Sequence, residues 1–185
     1  MIVLAAGHGR RFALSGGTTS KLEALLHGIP VLEHVLRSVM ASGLPFHVVR
    51  PEPGDSSAQL GMGDSIARGI AATTEARGWL ILPGDLPLIR PQTILNVARG
   101  LMDYPIVLPV HNARQGHPVG FGSECRAALT ALHGDRGAAH IVREYRQLGK
   151  VLELPQEEDE GVVMDIDTIE DLARAEKMLA TRQVR

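Results

Sequence analysis

Residues 1–21 read MIVLAAGHGRRFALSGGTTSK. The apolar run at 2–6 has the length and character of one buried strand. Beyond it Gly7, Gly9, Gly16 and Gly17 remove side chains, while Arg10, Arg11 and Lys21 bring positive charge. A strand that opens into a glycine-rich basic stretch offers backbone N–H groups and cations to an anion, and in a parallel α/β sheet that position is the ligand edge. Taken alone, the stretch reads either as a phosphate cradle or as a flexible loop with surface basic residues; on both readings it buries almost nothing.

The rest of the chain sets that strand in its architecture. Further short apolar runs predict strands at 46–50, 79–83, 104–110, 119–121 and 150–154. Helical periodicity lies between them. In PVLEHVLRSVMASG (30–43), Val31, Leu32, Val35, Leu36, Val39 and Met40 fall on one face, with Pro30 opening and Gly43 closing the segment. Similar patterns run through 63–76, 91–102, 123–132, 137–147 and 168–181, the last beginning with Thr168 and Asp171 spaced as a capping box. Strands and helices in alternation predict an α/β fold, a Rossmann-like, mostly parallel sheet with helices on both faces, in one domain over residues 1–185.

Composition narrows the partners. Nineteen Lys+Arg against 21 Asp+Glu give a net charge of -2, and aromatics are 3% of the chain, so neither an electrostatic footprint nor a stacking surface for nucleic acid is expected. No apolar run is long enough to span a bilayer, and no cationic segment leads into an apolar one as in a signal peptide. A single cysteine, Cys125, excludes an intramolecular disulfide and is expected to serve packing; a cytoplasmic setting follows. The acidic run QEEDEG (156–161) reads as a solvated turn.

The residues after each strand are the site candidates. GHGRRF fails the dinucleotide fingerprint because Phe12 stands at the third glycine position, and Lys21-Leu22 after Ser20 is not a Walker A ending. In GDLPLI (84–89), Asp85 follows a buried strand directly, a placement that suits a Mg²⁺ ligand or the cap of the next turn. Asp165 and Asp167 in DIDTIEDL share one side of an extended segment, as metal ligands or as caps of the helix at 168. Between Gly116 and Pro118, His117 is expected to shape backbone more than to transfer protons. The eight histidines show no zinc spacing.

In chain order, LAAGHGRRF, Lys21, GMGDSIARG (61–69), GDLPLI, QGHPVGF (115–121), GDRGA (134–138) and DIDTIEDL (165–172) resemble the MobA-like nucleotidyltransferases, and most of all their molybdenum cofactor cytidylyltransferase branch. The resemblance covers essentially the whole chain. It implies Mg²⁺-dependent transfer of a nucleotidyl group from an NTP, CTP on the strength of LAAG, to a molybdopterin-type acceptor, with a molybdoenzyme or its maturation factor as a further partner. Carried over, Leu4, Ala5, Ala6, Gly7, Gly9 and Arg11 hold base and phosphates, Gly61 and Ser65 touch the nucleoside, and Lys21 reaches the phosphates. Asp85 and Asp167 hold the metal; Gly116, His117 and Pro118 lie on the acceptor side. Arg11, Lys21 and Asp85 are the implied catalytic residues, with Arg10 facing away. The same edge would serve a sugar-phosphate acceptor, or a non-catalytic nucleotide-binding accessory protein.

Overall fold

Alternate residues of the central strands are buried on opposite sides, which sets helices on both faces of one sheet. The computed structural model describes residues 1–7, 9–52 and 61–183. The chain runs through β1 (Ile2–Leu4), α1 (Arg10–Leu14), the hairpin β2 (Leu25–Leu26) and β3 (Ile29–Pro30), α2 (Val31–Ala41) and β4 (His47–Val49). It continues with α3 (Met62–Ala71), β5 (Gly78–Pro83), α4 (Pro91–Gly100), β6 (Ile106–His111), β7 (Arg114–Gln115) and β8 (Val119–Gly122). A 3₁₀ turn (Ser123–Cys125), α5 (Arg126–Thr130), α6 (Ala139–Gln147), β9 (Val151–Pro155), a second 3₁₀ turn (Glu160–Val163) and α7 (Ile169–Gln183) complete it.

The sheet order is β4-β1-β5-β8-β6-β7, with β9 on the other edge of β6. Strands β4, β1, β5, β6 and β9 run the same way; β8 lies antiparallel between β5 and β6, and β7 is antiparallel to β6. Val3, Leu80, Leu82 and Val107 pack against α2 and α4 on one face. Ile2, Trp79, Ile81, Ile106 and Phe121 pack against α3, α5 and α6 on the other, where Cys125 is buried as well. This is the mostly parallel α/β sheet that the alternation predicts. Helix α2 buries Val31, Leu32, Val35 and Val39 but leaves Met40 exposed, so its apolar face is narrower than its sequence pattern.

Two further expectations need correction. The glycine-rich stretch is not all loop: Gly9, at φ +58°, turns the chain into α1, whose Phe12 is buried with Leu26, Val31, Leu88, Met164 and Ile166. A Cβ on Gly17 would collide with the Phe12 ring, so this glycine serves close packing. The segment 156–161 is a solvated turn only in part: Glu157, Glu158 and Glu160 are exposed, but one carboxylate turns inward. Asp159 is 3% exposed and accepts hydrogen bonds from Thr93 Oγ1 and the Arg90 amide.

Candidate active site

Five parallel strands end on one edge, and the segments that leave them converge there. A cavity of about 370 Å³ opens between the β1–α1 loop, the start of α3 and the β5–α4 loop. Leu4, Ala6, Gly7, Gly9, Arg11, Lys21, Gly61, Ser65, Asp85 and Asp167 all line it, though they come from five separate stretches of sequence. Ala5 does not: it packs into the core beneath, and its amide donates to the Val49 carbonyl, extending the β1–β4 pairing. Arg10, expected to face away, also borders the cavity.

The centre of the cavity is a charge cluster. Lys21 Nζ donates to Asp85 Oδ2 at 2.5 Å and to Asp167 Oδ1 at 3.1 Å, and Arg11 Nη1 lies 2.5 Å from Asp167 Oδ2. Lys21 and Asp85 are 12% and 14% exposed, whereas Arg11 is 77% exposed, so the lysine pair is the shielded one. Burial alone lowers the pKa of Lys21, but the adjacent Asp85 carboxylate and the hydrogen bonds to both aspartates outweigh it and raise the value above its ordinary one. Gly9 clears the path for the lysine stem, since a Cβ there would press on Lys21 Cγ.

Local structure releases both carboxylates for this cluster. The amide of Asp171 donates to Thr168 Oγ1 and Asp171 Oδ2 accepts from the Thr168 amide, so the capping box of α7 closes without Asp167. Asp85 bonds Lys21 rather than capping the next turn. Its Oδ1 is buried with no protein partner, which leaves an acceptor open to a cation. Asp165 lies apart from the central cavity, in an adjoining polar one with Arg11, Arg114 and Arg174. The segment 164–167 is irregular rather than a strand, yet Ile166 is buried between two outward-facing aspartates, so the predicted alternation survives. Among the described residues no three His, Cys, Asp or Glu side chains are gathered to hold an ion unaided. Two carboxylates suit a divalent cation whose remaining ligands are substrate oxygens and water.

Gly61 and Ser65 have structural reasons for their identity. A Cβ on Gly61 would overlap the Gly134 carbonyl, and Gly63 donates its amide to Gly134 O at 2.8 Å. GMGD and GDRGA are therefore two halves of one close backbone contact. Ser65 is buried, and its hydroxyl turns back to the Gly61 carbonyl at 3.0 Å. The Gly61 amide donates to Asp64 Oδ2 at 2.8 Å, a bond that holds the Asp64 carboxyl below its ordinary pKa. Met62, Leu22, Pro83, Gly84 and Asp135 also line the cavity. Sequence reasoning gave them no role, although GDRGA placed Asp135 in a motif.

Gly116 and His117 lie outside the central cavity. They line a neighbouring apolar one of about 300 Å³ that shares Leu4, Met62 and Pro83 with it; Pro118 lines neither. The His117–Pro118 peptide is cis, the Gly116 amide bonds Pro109 O, and the His117 amide bonds Val162 O. Burial pushes the His117 pKa down, against the pull of the Asp85 carboxylate, in a segment shaped by its backbone.

Comparisons with known proteins identify the family and the fold. The family model of the MobA-like NTP transferase domain matches residues 1–150. Bifunctional protein GlmU of Desulfitobacterium hafniense is 30% identical over 139 residues, which is 65% of this chain and 29% of that protein; the chain thus spans under a third of this curated relative. A nucleotidyl transferase from Methanothermobacter superposes with a TM-score of 0.78 at 21% identity, covering 98% of this chain and 97% of that one. CMP:2-keto-3-deoxy-manno-octonic acid synthetase complexed with CTP superposes at 0.70 and 15% identity, covering 98% of both chains.

Proposed function

Because the chain belongs to the MobA-like NTP transferase domain family, we propose that it transfers a nucleoside monophosphate from CTP to the phosphate of a molybdopterin-type acceptor, releasing pyrophosphate. The observation that carries this reading is the Lys21–Asp85–Asp167 cluster, set in a cavity walled by the glycine-rich β1–α1 loop. The loop and Arg11 hold the triphosphate, and Gly61 and Ser65 border the nucleoside.

The chemistry asks for positioning and charge neutralisation. A phosphate monoester loses its second proton near pH ~6, so the acceptor is nucleophilic at neutral pH without a strong base. Its oxygen attacks the α-phosphorus, and the bond from that phosphorus to the bridging oxygen of the β-phosphate breaks, with the electron pair leaving on pyrophosphate. Lys21 and Arg11 offset negative charge as it develops there. Asp85 and Asp167 would hold Mg²⁺, which when bound would supply charge neutralisation to the triphosphate. Because the acceptor phosphate is already ionised, the reaction asks no proton transfer of His117.

LAAG and the fold likeness to a CTP-bound synthetase favour CTP. That synthetase also favours a second reading, in which the acceptor is a sugar-type acid or sugar phosphate. The two metal carboxylates speak for an enzyme over an accessory nucleotide binder. The buried Cys125 suits a cytoplasmic setting, and handover to a molybdoenzyme or its maturation factor follows from the acceptor. Pyrophosphate release measured with each of the four NTPs, with and without molybdopterin or a sugar 1-phosphate, tests this. Molybdopterin-dependent release with CTP is expected; release only with the sugar phosphate transfers the assignment to the second reading, and no release with any pair sinks both.

A further inference from the structure

Asp85 and Asp167 sit on two different segments, and their separation depends on how those segments are held together. Residues 85–90 and 159–166 run alongside each other in opposite directions. At one end the Ile166 amide donates to Asp85 O at 2.9 Å. In the middle Gly161 lies so close to the Leu88 carbonyl that a Cβ would overlap it. At the other end stands Asp159, in the run that by sequence alone reads as solvent-facing.

Asp159 is buried, and both of its carboxylate oxygens have partners. Its Oδ2 accepts from Thr93 Oγ1 at 2.6 Å and from the Arg90 amide at 3.2 Å; its Oδ1 accepts from Arg182 Nη2 at 3.3 Å, with Arg90 Nε 3.9 Å away. The other guanidinium nitrogen of Arg182 donates to Leu88 O at 2.6 Å. Helix α7 therefore attaches at both ends to the same pair of segments: its capping box lies directly after Asp167, and its last turn clamps Asp159 and Leu88. A carboxylate this buried is tolerated only with its acceptors filled, and losing its charge leaves two guanidinium groups without their counter-ion.

We propose that Asp159 is a positioning residue that holds the Asp85 and Asp167 segments in register and so sets the distance between the two carboxylates. It rests on the reading of Asp85 and Asp167 as the metal pair. Asp159 and Arg182 lie beyond residue 150, outside the family match, whereas their partners Leu88, Arg90 and Thr93 lie within it.

The test uses the full chain, hydrogen exchange, and Mn²⁺ titration by electron paramagnetic resonance. In Asp159→Asn, amides 164–168 should exchange about tenfold faster while β5 keeps its protection, and Mn²⁺ affinity should fall roughly 10- to 100-fold, the range for losing a group that orients a metal ligand. Thr93→Val, which removes one hydrogen bond, should show a smaller effect of the same kind, and Glu157→Gln, an exposed neighbour, none. Exchange at Ile166 decides the case. Unchanged exchange there in a folded Asp159→Asn protein overturns the proposal, and so does loosening that reaches β5 equally, which is general destabilisation. If Asp159→Asn does not fold, Thr93→Val decides by the same criterion. Neither readout needs nucleotide turnover, so a wild-type protein inert towards every NTP would remove the proposed function and leave this inference standing.

Discussion

The ammonium of Lys21 lies 2.5 Å from Asp85 Oδ2 and, 3.1 Å away on its other side, reaches Asp167 Oδ1. One cation thus bridges the two carboxylates that the metal would use. A lysine there neutralises two negative charges that would otherwise repel each other across a shielded site.

Lys21→Met should separate two roles of this residue. Without nucleotide, removing the internal cation should tighten Mn²⁺ binding about tenfold, since the metal no longer displaces an ammonium. In turnover the same variant should lose roughly 100-fold or more in kcat, the scale of losing a charge donor to the transition state. Mn²⁺ affinity that weakens in Lys21→Met would show that the lysine does not compete for the site.

The raised pKa of Lys21 has a pH signature. The folded protein holds this proton more tightly than the unfolded chain, whose ordinary value is 10.5, so the stabilisation is complete below that pH. It is lost as pH rises through the folded value. Urea midpoints from pH 8 to 12 should show an alkaline decline in wild type that is shallower in Lys21→Met; parallel curves would refute the assignment.

Asp85→Asn keeps the size of the side chain and removes the carboxylate proposed to hold the metal, which is also the main partner of Lys21. Metal-dependent turnover should fall by several kcal/mol of transition-state stabilisation, about 10³-fold or more, with circular dichroism unchanged. Near-wild-type kinetics would take Asp85 out of the site.

The two arginines at the helix start should differ less than their neighbour Lys21. Arg10→Ala should stay within about threefold of wild type, because the structure gives Arg10 no ion-pair partner among the described residues. Arg11→Ala removes the exposed pair with Asp167 and should cost little stability, about 0–1 kcal/mol, while raising KM for the NTP. Equal losses in Arg10→Ala and Lys21→Ala would move the key cation elsewhere.

Gly61→Ala places a methyl group into the Gly134 carbonyl. Overpacking of this kind costs about 1–3 kcal/mol, and here the strain falls on the contact between the α3 start and the 134–138 loop. The expected result is a lower melting temperature together with weaker nucleotide binding. A variant with unchanged values in both would show that the loop yields freely.

Periodicity made most of the scaffold legible. Strand alternation and helical spacing depend on near neighbours, so the main strands and helices could be placed, and so could the Thr168–Asp171 cap, whose partners lie three residues apart. The carboxylates and glycines at the strand ends followed from the parallel arrangement itself, which gathers the ends of all such strands on one edge.

What the sequence did not carry depends on contacts between residues far apart in the chain. Phe12 looks solvent-bound in a glycine-rich stretch because its neighbours in the core, Leu88 and Ile166, are distant in sequence. Nothing local marks β8 as antiparallel; only its insertion between β5 and β6 decides its direction. The bridge from Lys21 to both aspartates spans 64 and 146 residues. Asp159 makes the physical reason plain. Within QEEDEG it resembles its acidic neighbours, and composition predicts water around all of them. Thr93, 66 residues away, and Arg182, at the far end of α7, provide the donors that make its burial favourable. Local pattern determines which element forms and which face is apolar, whereas a buried charge is permitted only by partners that the tertiary fold delivers.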